Sequence, residues 1–174
     1  MILKSVSKVN GIGITGRFFP MRSKIIHHPT LFAGLLWLLL GLFCLRVIGQ
    51  MLVAFWDVTF LPPMAAWYSG LIPYPWLLPG QIIIIIIYAK VCLDFSRRNG
   101  FFYTPRPKLG RGLLIFGAVY LTGMVGRYII RMSLYPEERW FGGAIPIVYH
   151  WVLAAFILLV GSYHWLQPQY SERS

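Results

Sequence analysis

The feature that most restricts the fold of this chain is a series of four apolar runs separated by short polar segments. A helix rises about 1.5 Å per residue, so about 20 apolar residues are needed to cross ~30 Å of hydrocarbon. The runs cover residues 30–56, 76–95, 112–134 and 144–166. They predict an all-α integral membrane protein with a bundle of four transmembrane helices.

The composition argues against an ordinary water-soluble domain. Hydrophobic residues make up 57% of the chain and charged residues 12%, about half the charged share of a typical soluble protein. The net charge of +11 does not indicate nucleic-acid binding, because the basic residues lie between the apolar runs and not along one polar face. The first run is too long for a signal peptide and has no small-residue cleavage site, so we expect it to remain in the protein.

The positions of Lys and Arg predict the orientation, because cytoplasmic segments near span ends retain positive charge. Eleven basic residues fall on one side of the predicted membrane, and the loops on the other side carry only Arg139. Both termini are therefore expected in the cytoplasm (N-in, C-in), in a plasma or inner membrane. The eleven residues are Lys4, Lys8, Arg17, Arg22, Lys24, Arg97, Arg98, Arg106, Lys108, Arg111 and Arg173.

The spans divide the chain into three parts. Residues 1–29 form a basic segment without a sustained helical period, which predicts an arm on the anionic inner leaflet. Residues 30–166 form the transmembrane domain, and residues 167–174 are a short cytoplasmic tail. Membrane lipids and other membrane protein subunits are the expected partners.

Polar side chains within the spans are the best indication of a functional site, since ionisable groups are costly in hydrocarbon. At about 1.5 Å per residue, Arg46 in the first span and Arg127 in the third both lie ~22 Å above the inner boundary. Gln81 and His150 lie just below the outer ends of the two descending spans, at nearly the same height. These positions predict one polar layer near the outer side of the membrane.

Helical spacing adds further residues to this layer, because positions three, four, seven and eleven apart share a helix face. One face of the third span carries Phe116, Tyr120, Gly123, Arg127 and Arg131, and we expect this stripe to face the bundle interior. The candidate residues for binding a substrate or lipid are Arg46, Gln50, Gln81, Arg127, Arg131 and His150. The candidates for covering the entrance are Trp56, Asp57, Trp67 and Tyr68.

Two interpretations of the layer stay open. In the structural one, Arg131 reaches the headgroups, Asp57 pairs with an arginine and Gln81 bonds to a neighbouring helix. In the functional one, the arginines hold the anionic or carbonyl head of a lipid or quinone, and His150 transfers a proton. A lipid phosphate held by Arg127 and Arg131 is intermediate between the two.

A b-type haem is the least favoured cofactor. His150 and His164 are 14 residues apart on nearly the same face of the fourth span, which resembles the spacing of two stacked haems. The chain has four histidines, however, and only His28 and His164 could together hold one haem. Aromatic belts at the two interfaces explain the neighbouring Tyr and Trp residues without a cofactor.

No sequence motif assigns a reaction. The chain has no phosphate-binding glycine loop, no metalloprotease motif and no nucleophile elbow. The favoured interpretation is therefore an accessory or assembly subunit of a larger membrane complex, with no catalytic residue assigned. The alternative is a membrane-embedded enzyme or carrier that binds an amphiphilic anionic or carbonyl-bearing substrate.

Overall fold

The computed structural model describes residues 28–56, 58–67, 73–136 and 144–171, and all regular structure in these ranges is helical. Four helices are long and one is a single turn. They are α1 (Pro29–Trp56), α2 (Met64–Trp67), α3 (Tyr74–Arg97), α4 (Pro107–Leu134) and α5 (Ala144–Ser171). The candidate residues Asp57 and Tyr68, and nearly all of the predicted basic arm, lie outside the described residues.

Each long helix is long and apolar enough to cross a membrane, which confirms the four predicted spans. The chain is thus a multi-pass integral membrane protein. The helices extend beyond the apolar runs, most clearly at the start of α4, which begins at Pro107 and not at residue 112, and at the end of α5, which finishes at Ser171 and not at residue 166. Proline is well suited to the first turn of a helix, where its missing N–H would have no intrahelical acceptor. The polar residues Lys108 and Arg111 are therefore already helical.

The four long helices do not share contacts equally. Helix α1 packs on α3 and α5, whereas α4 makes its extensive contacts with α5. The helices thus follow one another in the order α3, α1, α5, α4. We call the end of the structure at which α1 and α4 begin the proximal end, and the end at which they finish the distal end.

The core lies along α1, between α3 and α5. At the proximal end Phe32 of α1, Phe95 of α3 and Tyr163 of α5 pack ring against ring, with centroids 4.7–5.6 Å apart. Near mid-depth Tyr88 of α3 stacks on Phe156 of α5 at 3.8 Å. These contacts between the beginning of α1 and the ends of α3 and α5 are those expected of alternating antiparallel helices.

Helix α4 approaches α5 closely through glycine. A Cβ atom at Gly110 would lie 2.6 Å from the backbone nitrogen of Trp165, and one at Gly117 would lie 2.9 Å from the side chain of Leu158. Small residues allow this approach, which supplies van der Waals contact between helices in lipid. On the other side of α4, a Cβ at Gly112, Gly123 or Gly126 would meet nothing within 4 Å.

The proximal loop between α3 and α4 is organised by Asp94, which is 5% exposed. Its carboxylate forms an ion pair with Lys90 and accepts a hydrogen bond from the Phe102 backbone N–H at 3.2 Å. Arg98 adopts a left-handed conformation that ends α3, and Gly100 follows with a φ of 112°. The loop is therefore bonded to the end of the helix from which it leaves.

Candidate functional site

A cavity of about 230 Å³ lies near the distal end, among α1, α2, α3 and α5. Its polar lining consists of Arg46 from α1, Gln81 from α3 and His150 from α5. Leu77, Ile84, Leu153 and Phe43 supply apolar walls, and Trp67 and Trp76 supply aromatic ones. An apolar cavity with a few converging polar groups is the usual form of a small-molecule site.

The polar residues of the cavity lie at a similar depth. At about 1.5 Å per residue, Arg46 is ~15 Å from the end of α1, Gln81 is ~10 Å from the start of α3 and His150 is ~9 Å from the start of α5. Helix α1 has 28 residues and is ~42 Å long, which exceeds the ~30 Å hydrocarbon core by ~6 Å at each end. A hydrocarbon layer centred on α1 would thus have the cavity in its distal half.

Arg46 is a nearly buried cation, with 7% of its surface exposed. Its Nη2 donates to the backbone carbonyl of Trp67 at 3.4 Å, and its guanidinium carbon lies 5.7 Å from the ring centre of Tyr149. Its Nε has no hydrogen-bond partner within the described part of the chain. Since a buried charge needs acceptors, Arg46 can bind an anionic or carbonyl oxygen that enters the cavity.

Gln50 and Gln81 join α1 to α3. Gln81 Nε2 donates to Gln50 Oε1 at 3.0 Å, and the two residues are 4% exposed or less. Gln81 Oε1 and Gln50 Nε2 have no further partner among the residues that the structure describes. Gln81 and Arg46 both line the cavity, and each carries a buried polar atom without a partner in the described part of the chain.

His150 of α5 also contacts α4, through Tyr120. The Tyr120 hydroxyl and His150 Nδ1 are 2.5 Å apart, and the two rings meet edge to face with centroids 5.8 Å apart. This contact engages Nδ1, so Nε2 is the ring nitrogen that remains for a ligand. Arg46 and Arg127 both lie within electrostatic range of the imidazole.

The candidate residues for the entrance lie in different positions in the structure. Trp67 is 8% exposed, forms part of the cavity wall and donates from Nε1 to the Pro62 carbonyl at 2.9 Å. Trp56 is 67% exposed and is not part of the cavity lining. Trp76 lines the cavity instead, although the sequence did not single it out. Its signal was its position one helical turn before Gly80, which lines the same cavity.

Arg127 and Arg131 line a different concavity from Arg46, Gln81 and His150, and Gln50 lines neither of the two. Both border a groove of about 490 Å³ on the surface of α4, together with Gly123 and Gly126. The stripe that was expected to face the bundle interior is split. Tyr120 reaches the core and His150, whereas Phe116 is 58% exposed and Gly123 is exposed.

The two weak haem candidates occupy different surroundings. His28 is exposed just before α1, whereas His164 is fully buried in α5. Nδ1 of His164 accepts a hydrogen bond from the Arg106 backbone N–H at 3.3 Å, and Gly110 packs against its backbone. These contacts are those of a histidine that joins two helices. In the described ranges no group of three or more His, Cys, Asp or Glu side chains could hold a metal ion.

The chain was compared with protein-family models, curated proteins and solved structures. No protein-family model, no curated protein and no solved structure matches the chain.

Proposed function

We propose that this protein binds the polar head of an amphiphile in the cavity among α1, α3 and α5, and that the ligand is a lipid or a quinone. The observation that carries the proposal is that two residues lining this cavity each have a buried polar atom without a hydrogen-bond partner. Arg46 Nε is a buried donor and Gln81 Oε1 a buried acceptor, and neither has a partner among the described residues. A buried polar group without a partner is costly, so a ligand that satisfies both is favoured.

The chemistry of the lining defines the head. Its anionic or carbonyl oxygen would accept from Arg46, and a hydroxyl group of a lipid head, or of the reduced (quinol) form of a quinone, would donate to Gln81. The apolar walls and the depth of the site favour a ligand with a hydrocarbon tail. His150 Nε2 would contact the same head, and the histidine would be the group that exchanges a proton if the bound molecule reacts.

An accessory-subunit role is the second candidate function. It is supported by the one-sided packing of α4, whose other face is free of protein contacts in the described part of the chain at Gly112, Gly123 and Gly126. Lipid can cover such a face equally well, so the observation is less specific than the polar atoms of the cavity. The two functions predict different molecules in a purified preparation.

The test is to purify the protein from native membranes and to measure bound lipids and quinones by mass spectrometry, per mole of folded protein. Arg46→Gln should lower the amount of bound ligand at least tenfold, since a charge-assisted hydrogen bond is worth ~1.5–3 kcal/mol. Gly80→Leu offers a second route, because a Cβ at Gly80 meets nothing within 4 Å while the residue lines the cavity. It should fill the cavity and leave the polar residues in place.

Gly41→Leu is the matched control, because Gly41 is also open in a long helix but lies outside the cavity lining. It should keep the ligand of the unmodified protein. Equal ligand in the unmodified protein, Arg46→Gln and Gly80→Leu would refute the proposal. Stable co-purifying subunits without any ligand in the unmodified protein would favour the accessory role instead.

A further inference from the structure

The groove on α4 is a second concavity that the cavity function does not use. It lies on the α4 surface near the distal end, with Gly123 and Gly126 as its floor. Ile130 and Leu134 line it as apolar groups, and Arg127 and Arg131 line it as cations. A Cβ at either glycine would meet nothing within 4 Å, so the groove opens away from the protein.

The depth of the two arginines matches the boundary of the apolar layer. Helix α4 has 28 residues and is ~42 Å long, so ~6 Å projects from the hydrocarbon core at each end. Arg131 is three residues before the end of the helix, at the level of the headgroups. Arg127 lies one turn deeper, from which a long arginine side chain can reach the same level.

Both charged side chains that line the groove are cations. Asp94 is the one acid among the described residues, and it lies at the proximal end. Arg131 has another interaction partner as well. A guanidinium has five N–H donors, so it can bind a second acceptor while it keeps the first.

A phospholipid matches the polar and apolar lining of the groove better than a partner helix does. A helix packed on Gly123 and Gly126 would bring apolar side chains to the Arg127 and Arg131 guanidinium groups. A phospholipid brings a phosphate to the level of the arginines and an acyl chain to the glycine floor. Arginines spaced i, i+4 project from one helix face, and phosphate oxygens can accept from both.

We propose that the α4 groove binds an anionic phospholipid, with its phosphate on Arg127 and Arg131 and one acyl chain along Gly123 and Gly126. This site is separate from the cavity and does not rest on the function proposed for it.

The test uses the full-length protein in detergent, titrated with phosphatidylglycerol and followed by native mass spectrometry. Arg127→Gln should weaken binding about tenfold, because it removes a charge-assisted hydrogen bond. Gly126→Leu should weaken binding to a similar extent by filling the floor, without altering either arginine. Gly112→Leu and Arg111→Gln are the matched controls, since both positions are exposed on α4 at its proximal end, and neither should change the affinity.

Two further arms identify the source of the phosphate. Diacylglycerol with the same acyl chains should have no higher affinity for the unmodified protein than for the Arg127→Gln variant. Inorganic phosphate at a concentration equal to that of phosphatidylglycerol should not displace the lipid. Displacement by inorganic phosphate, or equal phosphatidylglycerol affinity in all variants, would overturn the proposal. So would a Gly126→Leu variant that changes from dimer to monomer while its lipid affinity is unchanged, because the occupant would then be a second copy.

Discussion

Gln50 and Gln81 are the residues whose burial most directly requires an explanation. Each carries two polar atoms into the apolar layer, and the single hydrogen bond between them uses one atom of each. In water such a pair would contribute little, because both amides are solvated before folding. In hydrocarbon the amides have few other partners, so the pair holds α1 to α3 at the depth of the cavity.

The first prediction concerns this pair. Gln81→Leu should lower the free energy of unfolding by about 0.6–2 kcal/mol, because it leaves Gln50 Oε1 buried without its donor. The double variant Gln50→Leu/Gln81→Leu should recover part of that loss, since no orphaned amide then remains. Unfolding in mixed micelles, followed by circular dichroism, measures both. Strictly additive effects would show that the two amides do not interact.

The second prediction concerns Gly100, where a side chain conflicts with both the backbone and Asp94. A Cβ atom would lie 2.5 Å from the Asp94 carboxyl carbon, and the φ of 112° disfavours any L side chain. Gly100→Ala should therefore cost about 1–3 kcal/mol of unfolding free energy. Gly41→Ala is the control, because a Cβ there meets nothing within 4 Å. Similar stability of the two variants would contradict this account of the proximal loop.

Among the elements, α4 depends on its contact with α5. Gly110 faces the α5 backbone, whereas Gly112, two residues later, is open. Gly110→Ala should force the two helices apart and lower the unfolding free energy by about 1–3 kcal/mol. Gly112→Ala should leave stability unchanged or raise it by up to about 1 kcal/mol, since Ala is the better helix former. The same micelle assay measures both, and no difference between them would remove the close glycine contact as the basis of this interface.

The elements also show what hydropathy can and cannot predict. The four spans were predictable because their length is set by membrane thickness, and the structure has four helices that meet this requirement. The face that each helix turns inward was not predictable for α4. Lipid and protein interior are both apolar, so Phe116 and Ile115, which are 58% and 57% exposed, could belong to either. In a soluble protein the polar face of the helix would have shown which side is turned to water.

For the site, helix rise and direction predicted the depth of Arg46, Gln81 and His150, and the structure brings these three to one cavity. Helix order could not be predicted in this way. Because α4 lies beyond α5, Arg127 lines the groove on α4 while remaining within electrostatic range of His150. That these residues bind a ligand stays a prediction.

At the scale of the whole molecule, the distribution of Lys and Arg predicts that both termini are cytoplasmic. A cysteine introduced at Phe60, which is 82% exposed in the distal loop, should react with an impermeant thiol reagent added to intact cells. Lys108→Cys, at the proximal end of α4, should react only after permeabilisation. The unmodified protein, whose Cys44 and Cys92 are free, provides the background. Reversed accessibility would invert the topology and leave the fold intact.

The order in which the helices pack has a consequence for biogenesis. The ribosome completes α4 before α5, yet α5 is the helix on which α4 makes its extensive contacts. Helix α4 therefore enters the bilayer before its packing partner exists, and it has the lowest mean hydropathy of the four spans. The free energy that transfers α4 into the bilayer must come from its own apolar residues, with the Arg127 and Arg131 side chains reaching the distal headgroups. A further charge placed in α4 would thus act first on membrane insertion, before any folded contact is made.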